Sequence, residues 1–352
     1  MLLLSIIIPV FNNSGKDIER CINSLQNSYN IKSEYEIILI DDGSRNDCAN
    51  FLDHIATNFT NIKVFHQKNQ GVSNARNLGI RLSLGKYVAF VDADDVVTPN
   101  FIPDAIWAVS NTQLDIIYGY IEYVEEDNSF NHLKNIYDDD NETETKTNLI
   151  LFSEKEKKEL YCHFFDLSKT DFWHGDYYIS RGPVARLVRK KYAVQNLFDE
   201  TLCMGEDAVW NLQALKNADT VGVIERLWYY YIKNSLSATQ VFNEDSIKQY
   251  GDMIRQLSKY ATDDFSKACL LNKTISSACE LAKGLFLSKH YPGGFFTAVK
   301  EFNHLFSKAP WNSVLDFSYA YMVGWKCCIK YLLIKTGLLL WFLKLKETIV
   351  SK

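Results

Sequence analysis

The sequence predicts an α/β protein whose mostly parallel sheet is covered by helices and followed by a helical carboxyl-terminal region. Three observations carry this. Short unbroken apolar runs recur through the first hundred residues, stretches at helical spacing separate them, and beyond about residue 245 the pattern is helical alone. A length of 352 residues suggests two domains, or one large domain with an appendage. With 47% hydrophobic and 14% aromatic residues there is ample material for a core, which excludes a disordered chain. A net charge of −5, from 38 basic and 43 acidic residues, argues against a nucleic-acid binder.

The elements follow in order. Leu3–Val10 is a continuous apolar run ended by Pro9-Val10-Phe11-Asn12-Asn13, as a buried parallel strand requires, and Ile18, Cys21, Ile22 and Leu25 then recur at helical spacing. Glu36–Ile40 is a second strand, running into Asp41-Asp42-Gly43-Ser44. A helix with Phe51, Leu52 and Ile55 precedes a third strand at Ile62–Phe65, and 71–84 reads as a helix after a polar loop. Tyr87–Val91 is a fourth strand, leading into Asp92-Ala93-Asp94-Asp95. The polar clusters all fall beyond carboxyl ends of strands, the rim where open α/β sheets bind ligands. Residues 121–147 hold nine acidic residues against two lysines and read as a solvated loop or hairpin.

The amino-terminal run lacks a basic leader and a small-residue cleavage site, and no charge-free apolar run approaches the ~18 residues of a spanning helix. A cytosolic chain is therefore expected. The eight cysteines show no Cys-x-x-Cys or zinc-site spacing and are expected to be reduced, partly buried hydrophobes.

Four clusters carry chemistry. Asp92 and Asp94 leave a strand together and suit a hard cation such as Mg²⁺ or Mn²⁺, although acidic turns are common in their own right. Asp41-Asp42-Gly43-Ser44 offers a carboxylate to a base N–H, or is a turn and helix cap. In Asn69-Gln70-Gly71-Val72-Ser73-Asn74-Ala75-Arg76-Asn77, Arg76 contacts a nucleotide or braces the acidic loops, or else the segment is a surface helix capped by Ser73. Gly205-Glu206-Asp207 opens a helix, where carboxylates are favoured by the dipole whatever else they do.

As a set, Pro9-Val10-Phe11-Asn12, Asp41–Ser44, Asn69-x-Gly71…Ala75-Arg76-Asn77, Asp92-x-Asp94 and Gly205-Glu206-Asp207 resembles family 2 glycosyltransferases with the GT-A fold. Phe198-Asp199-Glu200 and the later Trp228-Tyr229-Tyr230-Tyr231…Ser235-Leu236-Ser237 match as well. The resemblance covers about residues 3–240. It implies a catalytic domain over 1–240, with a nucleotide-sugar part at about 1–120 and an acceptor part at about 150–240; the helical region over 241–352 rests on the sequence pattern alone.

What the resemblance implies is an inverting transferase that moves a sugar from a nucleotide diphosphate sugar, usually a UDP-sugar, to a hydroxyl of a surface glycan or lipid-linked glycan. Pro9 and Phe11 would line the base, with Phe11 where relatives often have Tyr, and Asp42 or Asp41 would accept from the uracil N–H. Asn69, Arg76, Asp92 and Ala93 would complete the nucleotide-sugar site, with Asp92 and Asp94 holding Mn²⁺ or Mg²⁺. Asp207 would be the catalytic base and Glu206 its neighbour, binding the acceptor or orienting Asp207. Lys233 stands where many relatives have an Arg for the diphosphate. Asp176, Arg181 and Arg186 lie in the usual acceptor segment, where the two arginines are equally read as surface charges.

Two other classes compete. A sugar nucleotidyltransferase should carry a basic, Gly-rich loop after the first strand, and Pro-Val-Phe-Asn-Asn-Ser-Gly is not one. A non-catalytic carbohydrate-binding or scaffold module would not need Asp92, Asp94 and Asp207 together. The tail, Trp325–Leu345, is apolar and basic: residues 322–352 hold six lysines and one acid, Glu347. It reads as an interfacial helix giving peripheral contact at the cytoplasmic face of the inner membrane, or as a helix packed on the protein or on a homodimer partner.

Overall fold

The computed structural model describes residues 2–28, 31–125, 147–165, 173–174, 177–233, 242–289 and 291–350. Its first compact unit comprises Met1–Glu159, Thr170–Thr201 and Trp210–Ser235, and its second comprises Leu160–Lys169, Leu202–Val209 and Leu236–Lys352.

The first half alternates as the sequence predicts: β1 (Leu4–Val10), α1 (Gly15–Asn27), β2 (Tyr35–Asp41), α2 (Asn46–Ala56), β3 (Ile62–His66), α3 (Val72–Leu82) and β4 (Tyr87–Phe90). There follow β5 (Val96–Val97), α4 (Phe101–Asn111), β6 (Ile116–Glu125), β7 (Leu149–Leu151), α5 (Glu154–Phe164), β8 (Trp173–His174), β9 (Tyr177–Tyr178), β10 (Arg186–Arg189), α6 (Lys190–Gln195), α7 (Glu206–Asn217) and β11 (Val221–Lys233). The sheet runs β3-β2-β1-β4-β10-β6-β11-β5. β3, β2, β1 and β4 are parallel, with Ile7 beside both Ile38 and Phe90. β10 then inserts antiparallel between β4 and β6, and β5 pairs antiparallel with β11, so the sheet is mixed beyond its parallel core. The acidic segment read as a loop or hairpin begins in strand: β6 reaches Glu125, and residues 126–146 lie outside the described residues.

β1 and β2 are buried along almost their whole length, which is why they read as unbroken apolar runs. The core joins their side chains (Leu4, Ile6, Ile8, Ile37, Leu39) to Ile18, Ile22 and Leu25 of α1 and Phe101 and Ala105 of α4. One consequence of parallel pairing governs function. The carboxyl ends of β1, β2 and β4 lie on one rim, so the loops after Val10, Asp41 and Phe90 open side by side.

The second unit holds α8 (Glu244–Ser258), α9 (Asp264–Leu281), a π-helical turn (Ala282–Phe286), α10 (Gly294–Phe306), α11 (Trp311–Val314), α12 (Phe317–Val323), α13 (Trp325–Lys335) and α14 (Leu339–Val350). α8 and α9 each begin with a capping box, Asn243 with Ser246 and Asp263 with Ser266. Cys162 and Cys269 are joined as a disulfide, which corrects the expectation of eight reduced thiols. Their 107-residue separation hid the pair from any spacing argument. Among the described residues no helix is long and apolar enough to cross a membrane.

Candidate active site

The rim is built loop by loop. At the end of β1, Pro9 sits in the ladder opposite Ile40, and Phe11 stands half exposed beyond it. Asn12 takes a left-handed backbone (φ 56°), a conformation asparagine tolerates better than most residues. It pins two loops together, donating its N–H to Ser44 Oγ at 2.9 Å and accepting from Arg45 N–H through Oδ1 at 2.8 Å.

The two aspartates after β2 have different tasks. Asp41 accepts from Ser44 N–H at 2.9 Å and lies 2.7 Å from Nδ1 of His66, whose Nε2 is 3.1 Å from Asp53. Burial pushes the Asp41 carboxyl up, but bonds to Ser44 and His66 outweigh it and hold the group below the usual carboxylate range. His66 is raised in turn, first by its bond to Asp41, against partial burial. Asp42 faces the loop after β3. Its Oδ1 accepts from Gln67 Nε2 at 2.7 Å and Gln70 N–H at 2.8 Å, and its Oδ2 from Gly71 N–H at 2.8 Å. Gly43 (φ 76°) allows the approach, since a Cβ there would meet the Asn69 amide nitrogen at 2.6 Å. Asp42 and Gly43 thus draw the Asn69–Gly71 loop against the end of β2.

That loop starts α3, which brings two further motifs together. Arg76, almost fully buried, places its guanidinium 3.2 Å from Asp92 Oδ1 and over the Phe198 ring at 5.3 Å. Next along, Asn77 Nδ2 donates to Phe198 O and to Glu200 Oε1, each at 2.9 Å, and its Oδ1 accepts from Phe198 N–H at 2.8 Å. The Phe198-Asp199-Glu200 motif is therefore a brace for the helix that carries Arg76.

In the acidic loop after β4, Asp92 and Asp94 are half-buried, while Ala93 and Asp95 are buried. The sequence reading missed Asp95. Its Oδ2 accepts from the Tyr229 hydroxyl at 2.6 Å and its Oδ1 from Ile232 N–H at 2.8 Å, and the Asp92 N–H donates to the same Tyr229 oxygen at 3.0 Å. Burial, then the charges of Asp92 and Asp94, push the Asp95 carboxyl well above the usual range. The Tyr229 hydroxyl is pushed up by burial and by Asp95 and Asp92. Arg20 of α1 donates to the Asp94 carbonyl and pairs with Asp17 at 3.1 Å. Three carboxylates in four residues, two of them half-buried, suit a hard cation. Among the described residues no three His, Cys, Asp or Glu side chains form a cation cage by themselves. A cation held here would need oxygens from a ligand and water.

Four further residues were candidates for the acceptor or diphosphate side, and of these Arg186 stands otherwise than the sequence suggested. Lys233 pairs with Glu125 at 2.7 Å, over the Tyr123 ring. Arg186 is neither surface charge nor acceptor ligand: it is buried and donates to the carbonyls of Val184, Ser180 and Gly182 and to Asn211 Oδ1, with its plane over Tyr118. Arg181 is half-buried beside it, its carbonyl accepting from Asn211 Nδ2 at 2.6 Å. Asp176 and residues 234–241 lie outside the described residues.

Glu206 and Asp207, both half-buried, form the first turn of α7 behind Gly205. Gly205 has φ 75°, and a Cβ there would meet Met253 Cγ at 2.5 Å, so the residue before the acidic pair has to be glycine.

The sequence model of glycosyl transferase family 2 matches residues 5–174, the stretch that holds Pro9, Asp41, Asp42, Arg76, Asp92 and Asp94. Residues 5–174 of this chain are thus a family 2 glycosyl transferase domain. An uncharacterized glycosyltransferase of Bacillus subtilis, EpsJ, is 28% identical over 296 residues, or 82% of this chain and 75% of that protein. Escherichia coli YibD, also an uncharacterized glycosyltransferase, is 40% identical over 113 residues, about a third of each chain. GlyG of Streptococcus pneumoniae is 34% identical over 133 residues, 36% of this chain and 42% of that one. Among solved structures, S. aureus TarS (residues 1–349) in complex with UDP-GlcNAc superposes with a TM-score of 0.64 at 16% identity, covering 96% of this chain and 88% of that fragment. At that identity the likeness shows the fold.

Proposed function

We propose that this family 2 glycosyltransferase transfers a sugar, with inversion, from a nucleotide diphosphate sugar to a hydroxyl of a surface glycan or lipid-linked glycan. The observation that carries the reading is the convergence at one rim: Asp42 holding the Asn69–Gly71 loop, and Arg76 holding Asp92 beside Asp94. The TarS complexes with UDP-GlcNAc and with UDP favour a uridine donor. Phe11 gives its exposed ring to the base beside Pro9, and Asp42 or Asp41 accepts from the base N–H. Asp92 and Asp94 would hold Mn²⁺ or Mg²⁺, which supplies positive charge to the diphosphate as it departs.

The rest is done by the chain. Asp207 takes the proton of the acceptor hydroxyl as its oxygen forms the bond to the anomeric carbon. The bond from that carbon to the diphosphate oxygen breaks on the opposite face, and its electron pair leaves with the nucleotide diphosphate. Glu206 orients the acceptor. The reaction places the protein in the cytoplasm, where sugar nucleotides are made.

The deciding experiment is a screen of sugar nucleotides for release of nucleotide diphosphate by the purified chain, with and without divalent cation. Release from a UDP-sugar is expected. Failure with every donor, in the presence of cell-envelope acceptors, would leave a carbohydrate-binding module as the better account.

A further inference from the structure

A surface helix ordinarily turns an apolar stripe inward and a polar face to water. α13 and α14 break this rule. On α13, Cys327 and Ile334 are buried, while Trp325 (69% exposed), Ile329 and Leu332 recur at i, i+4 and i+7 on the opposite side in solvent. On α14, Leu339, Leu340 and Leu343 are buried, while Leu338 just before it, then Trp341, Phe342, Leu345 and Ile349, form a second exposed stripe. Both helices are therefore apolar on two sides, and their own unit covers one. α12 adds Tyr321 (77% exposed) and Met322 immediately ahead of Trp325.

The charge on these two helices is basic but for Glu347. Lys326 and Lys330 flank the α13 stripe, and Lys344 and Lys346 are exposed on α14. Lys326 lies over the Trp325 ring at 5.7 Å and Lys344 over the Phe295 ring at 3.8 Å, while Trp341 packs edge-on against Phe295 at 4.6 Å. Tryptophans with lysines beside them, on a face rich in Leu and Ile, are amphipathic side chains of the kind that settle at a lipid–water boundary: the rings enter, and the lysines reach back to anionic headgroups. A second copy of the chain would bring its own lysines against these. An anionic bilayer brings the opposite charge.

We infer that the exposed faces of α13 and α14 dock this protein on the surface of an anionic lipid bilayer, peripherally and without spanning it. Each lysine near such a surface is worth about fivefold in partitioning, so four of them and two apolar stripes give binding that salt weakens. The docking needs no turnover, so its failure and the failure of the proposed transfer are separate results.

The test floats the full chain with vesicles of phosphatidylcholine alone or mixed with phosphatidylglycerol, at low and high salt. The wild type is expected to float with the anionic vesicles and to be released by salt. A Trp325→Ser, Ile329→Ser, Leu332→Ser variant should float about tenfold less or worse, with a melting profile little changed, because Trp325 is mostly exposed and Ile329 and Leu332 about half exposed. The Lys326→Gln, Lys330→Gln pair should cost roughly twenty-five-fold on anionic vesicles and little on neutral ones. If the apolar variant melts early, the lysine pair alone decides. A wild type that does not float overturns the inference, as do variants that float equally well. So does a wild-type dimer that the apolar variant turns into a monomer without any lipid binding, which would give the face to a second copy.

Discussion

The Tyr229 hydroxyl donates to Asp95 Oδ2 at 2.6 Å across 134 residues of sequence, and so ties β11 to the acidic loop after β4. The same oxygen accepts from the Asp92 N–H. The position of Asp92 and Asp94 is thus set from beneath by two side chains that need never touch a ligand.

Tyr229→Phe removes that oxygen without changing the ring. Asp95 then loses a donor and the Asp92 N–H an acceptor, both at buried or half-buried sites, which costs about 1–3 kcal/mol. The urea midpoint should fall by a corresponding amount, and nucleotide affinity should fall with it as the acidic loop loosens. An unchanged midpoint would mean that the loop is held by other contacts.

The pair His66–Asp41 makes stability depend on pH. His66 is raised above its ordinary 6.5, so its contribution is complete below pH 6.5 and is lost as pH rises through the higher folded value. Asp41 is depressed below its ordinary 3.8, so its contribution is complete above pH 3.8 and is lost as pH falls through the lower folded value. The pair is therefore strongest between 3.8 and 6.5. In His66→Gln, the decline of the urea midpoint above pH 6.5 should flatten relative to wild type. Parallel profiles from pH 5 to 9 would remove the assignment.

Arg186 gives a different kind of prediction, since its work is structural. Its fork reaches three carbonyls and Asn211 from a buried position. Lysine keeps the charge but cannot match the fork, and Arg186→Lys should cost on the order of 2–4 kcal/mol. Thermal unfolding measures the loss. Donor KM should move little in the protein that remains folded, and a large KM change with an unchanged melting temperature would return Arg186 to the binding site.

How far such things could be read in advance depended on the element. Strands β1 to β4 were legible because a buried parallel strand is apolar without interruption. Later strands were not. β5 has two residues, β10 opens and closes on Arg186 and Arg189, and β11 carries Glu225 and Arg226 and slips register around Leu227. The motifs of the site were legible as types, yet their partners were not. Nothing local to Asp42 announces that Gln67, Gln70 and Gly71 will bond to it, and Asp95 looks like one more acid in a turn until Tyr229 arrives from the far end of the domain. Arg186 misleads because an arginine ordinarily keeps its charge in water, and nothing local to it shows the three carbonyls that enclose it.

The paired carboxylates predict a metal requirement. Nucleotide diphosphate release should need Mn²⁺ or Mg²⁺ and should stop with excess chelator, and Asp94→Ala should bind the cation more weakly as well as turn over more slowly. Titration of Mn²⁺ against the variant checks binding separately from rate. Full turnover in chelator would sink the assignment of Asp92 and Asp94 as ligands.

Asp207 is the sharpest test of the proposed chemistry. Asp207→Asn keeps size and most hydrogen bonding but removes the proton acceptor, and turnover should fall by about 10²–10⁴, the usual worth of a positioned base. Donor affinity should survive, since Asp207 lies outside the loops after β1, β2 and β4. Glu206→Gln should act mainly on acceptor KM. The competing account makes Gly205-Glu206-Asp207 a helix start and no more. Carboxylates there are favoured by the helix dipole, so the amide would cost only about 0.3–1 kcal/mol of stability and leave turnover nearly intact. The two accounts therefore separate on one measurement: single-turnover transfer by a folded Asp207→Asn protein. A rate within a few-fold of wild type would pass the base to Glu206 or to another residue, while a loss of a hundredfold or more with donor binding intact assigns it to Asp207.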